Sequence, residues 1–232
     1  MIAFIWVFYM TAPPPEVAWP PPRRLYGWGG DGHIAEVQLA FSYDGEYWIR
    51  PPGRPAFIPA GERGAWDAGN VATATQPVLV NGEHLHYYGG GPIYHGATRR
   101  PPNPFRPAVG PFNAIGLART KRDRYASFSA SVGGSVLVDH GLIEGRTLRV
   151  NARAPHGHIR AAVLDASGRE VSGLGLGECR PFHGDEVDGT IVWERADLRA
   201  VPARQEVAIR FVLEEADLFG YEVTTGSEED TR

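Results

Sequence analysis

The chain has 232 residues, with 23 Lys and Arg against 27 Asp and Glu for a net charge of -4, and is 43% hydrophobic and 22% charged. That length can bury one or two cores, and the balance excludes a disordered polyelectrolyte. The basic residues fall in isolated pairs such as Arg23-Arg24 and Arg99-Arg100; without a basic stripe, nucleic acid is not expected as a partner.

Gly (29), Pro (20) and aromatic residues (11%) are abundant. Gly and Pro punctuate helices while aromatic residues suit pleated strands, so an all-β chain of short strands and irregular loops is predicted. Residues 1–10 form an apolar opening, MIAFIWVFYM. It is shorter than the ~20 residues a transmembrane helix needs. It also lacks a basic leader and runs into three prolines, a poor cleavage context, so a strand buried on both faces is expected instead. Opening directly on such a strand implies sequence upstream, as in an N-terminally truncated protein.

A Pro-rich loop over 13–22 precedes a second strand at 33–42, which ends in Asp44-Gly45 and Trp48. Residues 71–80 read as a strand, Asn81-Gly82 as a type I′ turn and 84–88 as the hairpin partner. A Gly- and Pro-rich loop over 89–111 leads to a strand at 114–120. Strand, long loop, and strand ending in a turn thus occur twice, the layout of propeller blades. Too few blades are present to close a ring, and open blade edges invite pairing with a partner.

Past residue 125, strands at 148–154, 159–164, 189–193 and 206–213 are separated by a tight turn at 165–168 and a connecting turn at 197–201. That spacing predicts a β-sandwich. The expected organisation is a partial propeller over 1–125, a β-sandwich over 126–225, and a disordered acidic tail over 226–232.

The segment 34–48 ends in Ser42-Tyr43-Asp44-Gly45-Glu46-Tyr47-Trp48. This Ser-x-Asp-Gly-x-x-Trp pattern resembles the strand and turn of glycoside hydrolase families 32 and 43. The match extends to Trp66-Asp67, to Tyr87-Tyr88-Gly89-Gly90, to Arg124-Tyr125 and to Asp165-Ala166-Ser167-Gly168. The resemblance implies a five-bladed propeller followed by a β-sandwich, a carbohydrate ligand and glycosidase chemistry. The nucleophilic carboxylate of the family lies in a first blade that this chain lacks, so the resemblance implies an incomplete catalyst. Glu178-Cys179 resembles a family 32 acid motif, but it falls in the sandwich segment.

Glycoside hydrolysis needs two carboxyl groups across the scissile bond. Asp67, between Trp66 and the start of a strand, is the leading candidate, with Glu36 second. An ordinary turn role for Asp67 and a solvated strand face for Glu36 are the competing readings. Trp28, Trp66, Tyr88 and Tyr94 offer aromatic faces for sugar rings, and His95 a polar contact beside them. His84 and His86 share one strand face but lack a third ligand nearby, so a plain polar face is expected. His156-Gly157-His158 suggests a hairpin turn. No phosphate loop, dinucleotide fingerprint or metal-ligand spacing occurs, so no cofactor is expected. The functional alternatives are a glycosidase, a non-catalytic carbohydrate-binding module and an inactive gene fragment.

Overall fold

The computed structural model describes residues 1–10, 33–62, 65–92 and 114–225. Among them every regular element is a strand except one 3-10 turn, Leu198–Ala200, so the protein is all-β. The expected tail at 226–232 lies outside the described residues. The chain divides into two compact units between Arg119 and Thr120.

The first unit is one seven-stranded sheet. Strand β1 (Ile2–Met10) pairs antiparallel with β2 (His33–Phe41) along its whole length. The short β3 (Ala56–Ile58) also pairs with β2. β2 meets β4 (Asn70–Thr73) in parallel at Ala35 and Asn70, and β4 pairs with β6 (Glu83–Gly91). β6 also carries β5 (Val78–Val80) and β7 (Ala114–Lys121). The opening segment is a strand, but one half-open to solvent: Trp6 is 41% and Phe8 39% exposed, because β1 ends the sheet path.

The segment expected as a single strand over 71–80 is two strands, interrupted at Ala74–Pro77 where Pro77 has no N–H to give a ladder. The Asn81-Gly82 turn has φ of 49° and 76°, the double positive φ of a type I′ hairpin. Val37, Ile58 and Val71 form the buried centre of the unit, flanked by Phe4, Phe57, Tyr88 and Ala118.

His86, expected on a plain polar face, is instead buried at 1% exposure against the rings of Phe4 and Phe57. Burial, and secondarily the neighbouring His84, push its imidazole below its ordinary value. The unfolded chain therefore takes up a proton on His86 before the folded chain does. Stability of the first unit is full above the unfolded value of about 6.5 and declines as pH falls below it. Thermal melts followed by tryptophan fluorescence are expected to show a midpoint that drops from about pH 7 to pH 5, a slope that His86→Phe removes. An unchanged slope in that variant would place the titrating group elsewhere.

The second unit is a six-stranded sheet organised by one long strand, β10 (Thr147–Leu164). Its first half pairs with β13 (Ala216–Thr224) and its second half with β12 (Glu206–Glu214). β11 (Phe182–Ile191) runs along its other edge. β8 (Phe128–Ala130) extends β13, and β9 (Gly134–Leu142) extends β12. β12 and β13 are separated by the single residue Glu215, which has φ of 44°. β10 shifts register against β11 between Ala154 and Ile159, so the residues expected to form a hairpin turn at 156–158 lie instead within a bent strand.

Both halves of the bent sheet turn apolar residues onto one core, including Leu148, Val150, Ile159, Val163, Ile209 and Phe211. Burying each large aliphatic or aromatic side chain contributes about 1.5–3 kcal/mol. Trp193 lies in that core with its indole N–H donating to the Ala161 carbonyl at 3.0 Å. The tight turn at 165–168 is held by the Asp165 carboxylate, which accepts from the Ser167 hydroxyl and from the Ser167 and Arg169 amides. Those bonds hold it down to about 2, the Ser167 hydroxyl contributing most.

Candidate functional site

The turn 65–69 feeds into β4 and fixes Trp66 and Asp67 against the C-terminal half of β6. Its backbone is pinned by Gly61 N–H donating to the Asp67 carbonyl (3.3 Å) and Gly69 N–H to Gly91 (2.9 Å). Asp67 is 9% exposed, and its Oδ2 accepts the Tyr88 hydroxyl at 3.1 Å. The Trp66 and Tyr88 rings stack with centroids 5.7 Å apart and planes 22° from parallel. Burial first, and the Asp67 carboxylate second, hold the Tyr88 phenol above its ordinary value, so it remains a proton donor to Asp67.

Close approach of backbone builds this cluster. A Cβ on Gly90 would lie 2.7 Å from the Asp67 Cβ and 2.8 Å from the Trp66 ring, and one on Gly116 would enter the Tyr88 ring. β6 and β7 carry glycine at these points because the three side chains occupy the space.

Glu36 belongs to a different group. Successive residues of β2 point to opposite faces. Val37 packs with Val71 and Tyr88, on the face of the Trp66–Asp67–Tyr88 cluster. Glu36 and Gln38 project from the other face, where Gln38 Nε2 donates to Glu36 Oε1 at 2.8 Å and Arg50 donates to Gln38 Oε1. The structure therefore brings together Trp66, Asp67 and Tyr88 and does not bring Glu36 to them. Trp28, Tyr94 and His95 lie outside the described residues. His84 and His86 stand with ring centroids 6.3 Å apart, and no group of three metal-ligating side chains occurs among the described residues.

The Ser42–Trp48 turn has the geometry its residue types predict. Asp44 Oδ1 accepts the amides of Glu46 (2.8 Å) and Tyr47 (2.9 Å), Ser42 Oγ accepts from Gly45 N–H, and the Trp48 indole donates to the Gly45 carbonyl at 3.1 Å. The Tyr47 and Glu46 amides hold the Asp44 carboxyl below its usual range. It is an exposed turn whose bonds to Asp44 converge on Oδ1, the ordinary role of an Asp that shapes a loop.

The sequence reading named Asp67 and Glu36 as carboxylates and Tyr88 as a sugar-facing ring, without the Tyr88–Asp67 hydrogen bond that the structure shows. The run Tyr88-Gly89-Gly90 held the signal, since glycine in mid-strand marks a close approach. Comparison with protein-family models, with curated proteins and with solved structures returns no match. The described fold defines an all-β protein of two sheet units, and among its described residues no helix is long and apolar enough to cross a membrane.

Proposed function

We propose that this chain is a carbohydrate-binding protein of the glycoside-hydrolase-like kind, engaging a sugar at the Trp66–Asp67–Tyr88 cluster without cleaving it. The observation that carries the reading is a carboxylate held by a phenol beneath two stacked, half-buried rings. Aromatic faces pack on the apolar C–H patches of sugars, and a fixed carboxylate accepts from ring hydroxyls. Binding is favoured over hydrolysis because glycosidases set two carboxyl groups about 5–10 Å apart across the bond, whereas Glu36 leaves the opposite face of β2.

The family 32/43 reading of the fold, with a partial propeller over 1–125 and a sandwich over 126–225, is supported in its two halves by different things. The sandwich half is supported by a six-stranded sheet whose residues share one core. The propeller half is supported by the Ser42–Trp48 turn alone, since a seven-stranded sheet with a five-strand path is wider than a four-stranded blade.

Screening the chain on a glycan array and against aryl glycosides tests the proposal. Saccharide binding without turnover is expected, weakened at least ~10-fold in Asp67→Asn, because a hydrogen bond to a charged group contributes about 1.5–3 kcal/mol. Asparagine still accepts from Tyr88, so the fold survives the change. Glycoside turnover would replace binding by catalysis, and an array with no saccharide bound would end the proposal.

A further inference from the structure

The second unit carries a groove of about 340 Å³ on the solvent face of β10, β11 and β13. Its volume falls in the ~300–1,000 Å³ range usual for small-molecule sites. Along the first half of β10, Leu148, Val150 and Ala152 point into the core, so Arg149 and Asn151 point outward. In register beside them on β13 are Glu222, opposite Arg149, and Gly220, opposite Asn151. A Cβ on Gly220 would meet nothing within 4 Å, which leaves the floor open. Both neighbouring strands slip register around Asn151 and Ala152, and bulges of this kind curl a sheet into a concave surface.

The rim is fixed before any ligand arrives. Arg122 Nη2 is paired with Asp188 Oδ1 at 2.6 Å. Asn151 donates to the Arg122 carbonyl at 2.7 Å and accepts from Arg124 Nε at 2.8 Å, so both ends of its amide are committed. Arg149 and Glu222 differ from this set. Arg149 Nε is buried without a hydrogen-bond partner, and neither residue makes an ion pair among the described residues.

We infer that this groove is a saccharide site, in which one hydroxyl of a vicinal diol accepts from Arg149 and its neighbour donates to Glu222. The Arg149 Nη donors and the Glu222 carboxylate, on directly opposed positions of adjacent strands ~5 Å apart at Cβ, suit a ligand whose adjacent groups each donate and accept. A simple anion would face Asp123, Asp188 and Glu222, and a simple cation would face Arg122 and Arg149. A neutral polyhydroxylated ring meets no such repulsion. The groove lies in a different unit from the Trp66–Asp67–Tyr88 cluster, and its assignment stands independently of that site.

Titration of the intact chain with cellobiose, maltose and lactose, read by amide NMR, tests the site. Saturable movement of the Gly220 amide and the Asn151 side-chain amide is expected, weakened at least tenfold in Arg149→Gln and in Glu222→Gln and unchanged in Asp67→Asn. Arg149 is half-buried and Glu222 exposed, and the Trp193 indole signal reports that the core is retained in both variants. Shifts confined to the Trp66 indole would overturn the groove and leave the cluster standing. Shifts confined to Gly220 would do the reverse. Silence at both would overturn both, and stronger movement of Gly220 by phosphate or calcium than by any of the three sugars would overturn the diol assignment.

Discussion

Replacing Gly157 with alanine is expected to unfold the second unit or to cost it about 4 kcal/mol or more, the range reserved for changes the structure cannot absorb. A Cβ at this position would lie 2.6 Å from the Glu214 carbonyl carbon and closer still to its oxygen, and 2.8 Å from the Glu215 Cβ. The obstacle is backbone, and the neighbouring pair His158 and Glu214 is already in register between β10 and β12. Relief therefore means separating two central strands at their bend. Ordinary overpacking costs about 1–3 kcal/mol because side chains can shift; here nothing flexible is available to move. The matched control is Gly177→Ala, where an added methyl meets nothing within 4 Å, and it should stay within ~0.5 kcal/mol of the parent. Urea unfolding followed at Trp193, the one tryptophan beyond residue 120, measures both. Equal midpoints for Gly157→Ala and the parent would mean that the bend is looser than described.

The same residue shows what the sequence could and could not convey. Pro155-His156-Gly157-His158 carries turn chemistry and reads as a break between two strands. In the folded chain it is a bend inside an 18-residue strand, because β12 and β13 follow β10 along its length and change direction with it at Glu215. Local residue types announce a change of direction; only the partner strands decide whether the ladder ends there. The Asn81-Gly82 hairpin was legible for the converse reason, since its positive φ values are dictated by two adjacent residues alone. β9 and β13 escaped notice because Asp139, Gly141 and Gly220 interrupt their alternation.

At the candidate site, Trp66, Asp67 and Tyr88 were visible as residue types, while their mutual contact depends on β4 and β6 pairing across the fourteen residues between Thr73 and Tyr88. For Glu36 the strand face away from the core was a reading the sequence already offered. The residue stands between Ala35 and Val37, both fully buried, and a period of two already sends it to the face that those residues avoid. The groove of the second unit left no trace in sequence, because Arg149, Gly220 and Glu222 are brought together by register rather than by proximity along the chain.

Arg124→Met is expected to destabilise the second unit by about 3 kcal/mol, although in sequence Arg124 is one of several basic residues near Asp123. Its side chain is only 9% exposed. Where β10 slips against β11 and β13, the ladder loses backbone partners, and the guanidinium supplies them: Nη2 donates to the Ala152 and Glu186 carbonyls at 3.1 Å each, and Nε to Asn151 Oδ1 at 2.8 Å. Nη1 is paired with Asp185, and the guanidinium lies 4.6 Å over the Phe219 ring. Methionine fills similar volume but orphans those acceptors, each buried orphan costing about 1–3 kcal/mol. The full cost of breaking a buried ion pair is not reached, because Asp185 is 41% exposed and re-solvates. Lysine should rescue little, since a single ammonium cannot span a fork-shaped set of acceptors. Lys121, and after it Arg124, hold the Asp185 carboxyl below its usual range. That contribution is present above about pH 4 and lost as pH falls through the folded value, so the acid limb of the stability curve should be shallower in Arg124→Met. Arg122→Met, which removes exposed pairs with Asp188 and Asp123, should cost no more than about 1 kcal/mol. Equal losses for the two variants in urea would show that Arg124 acts as surface charge rather than as a plug in the bulged ladder.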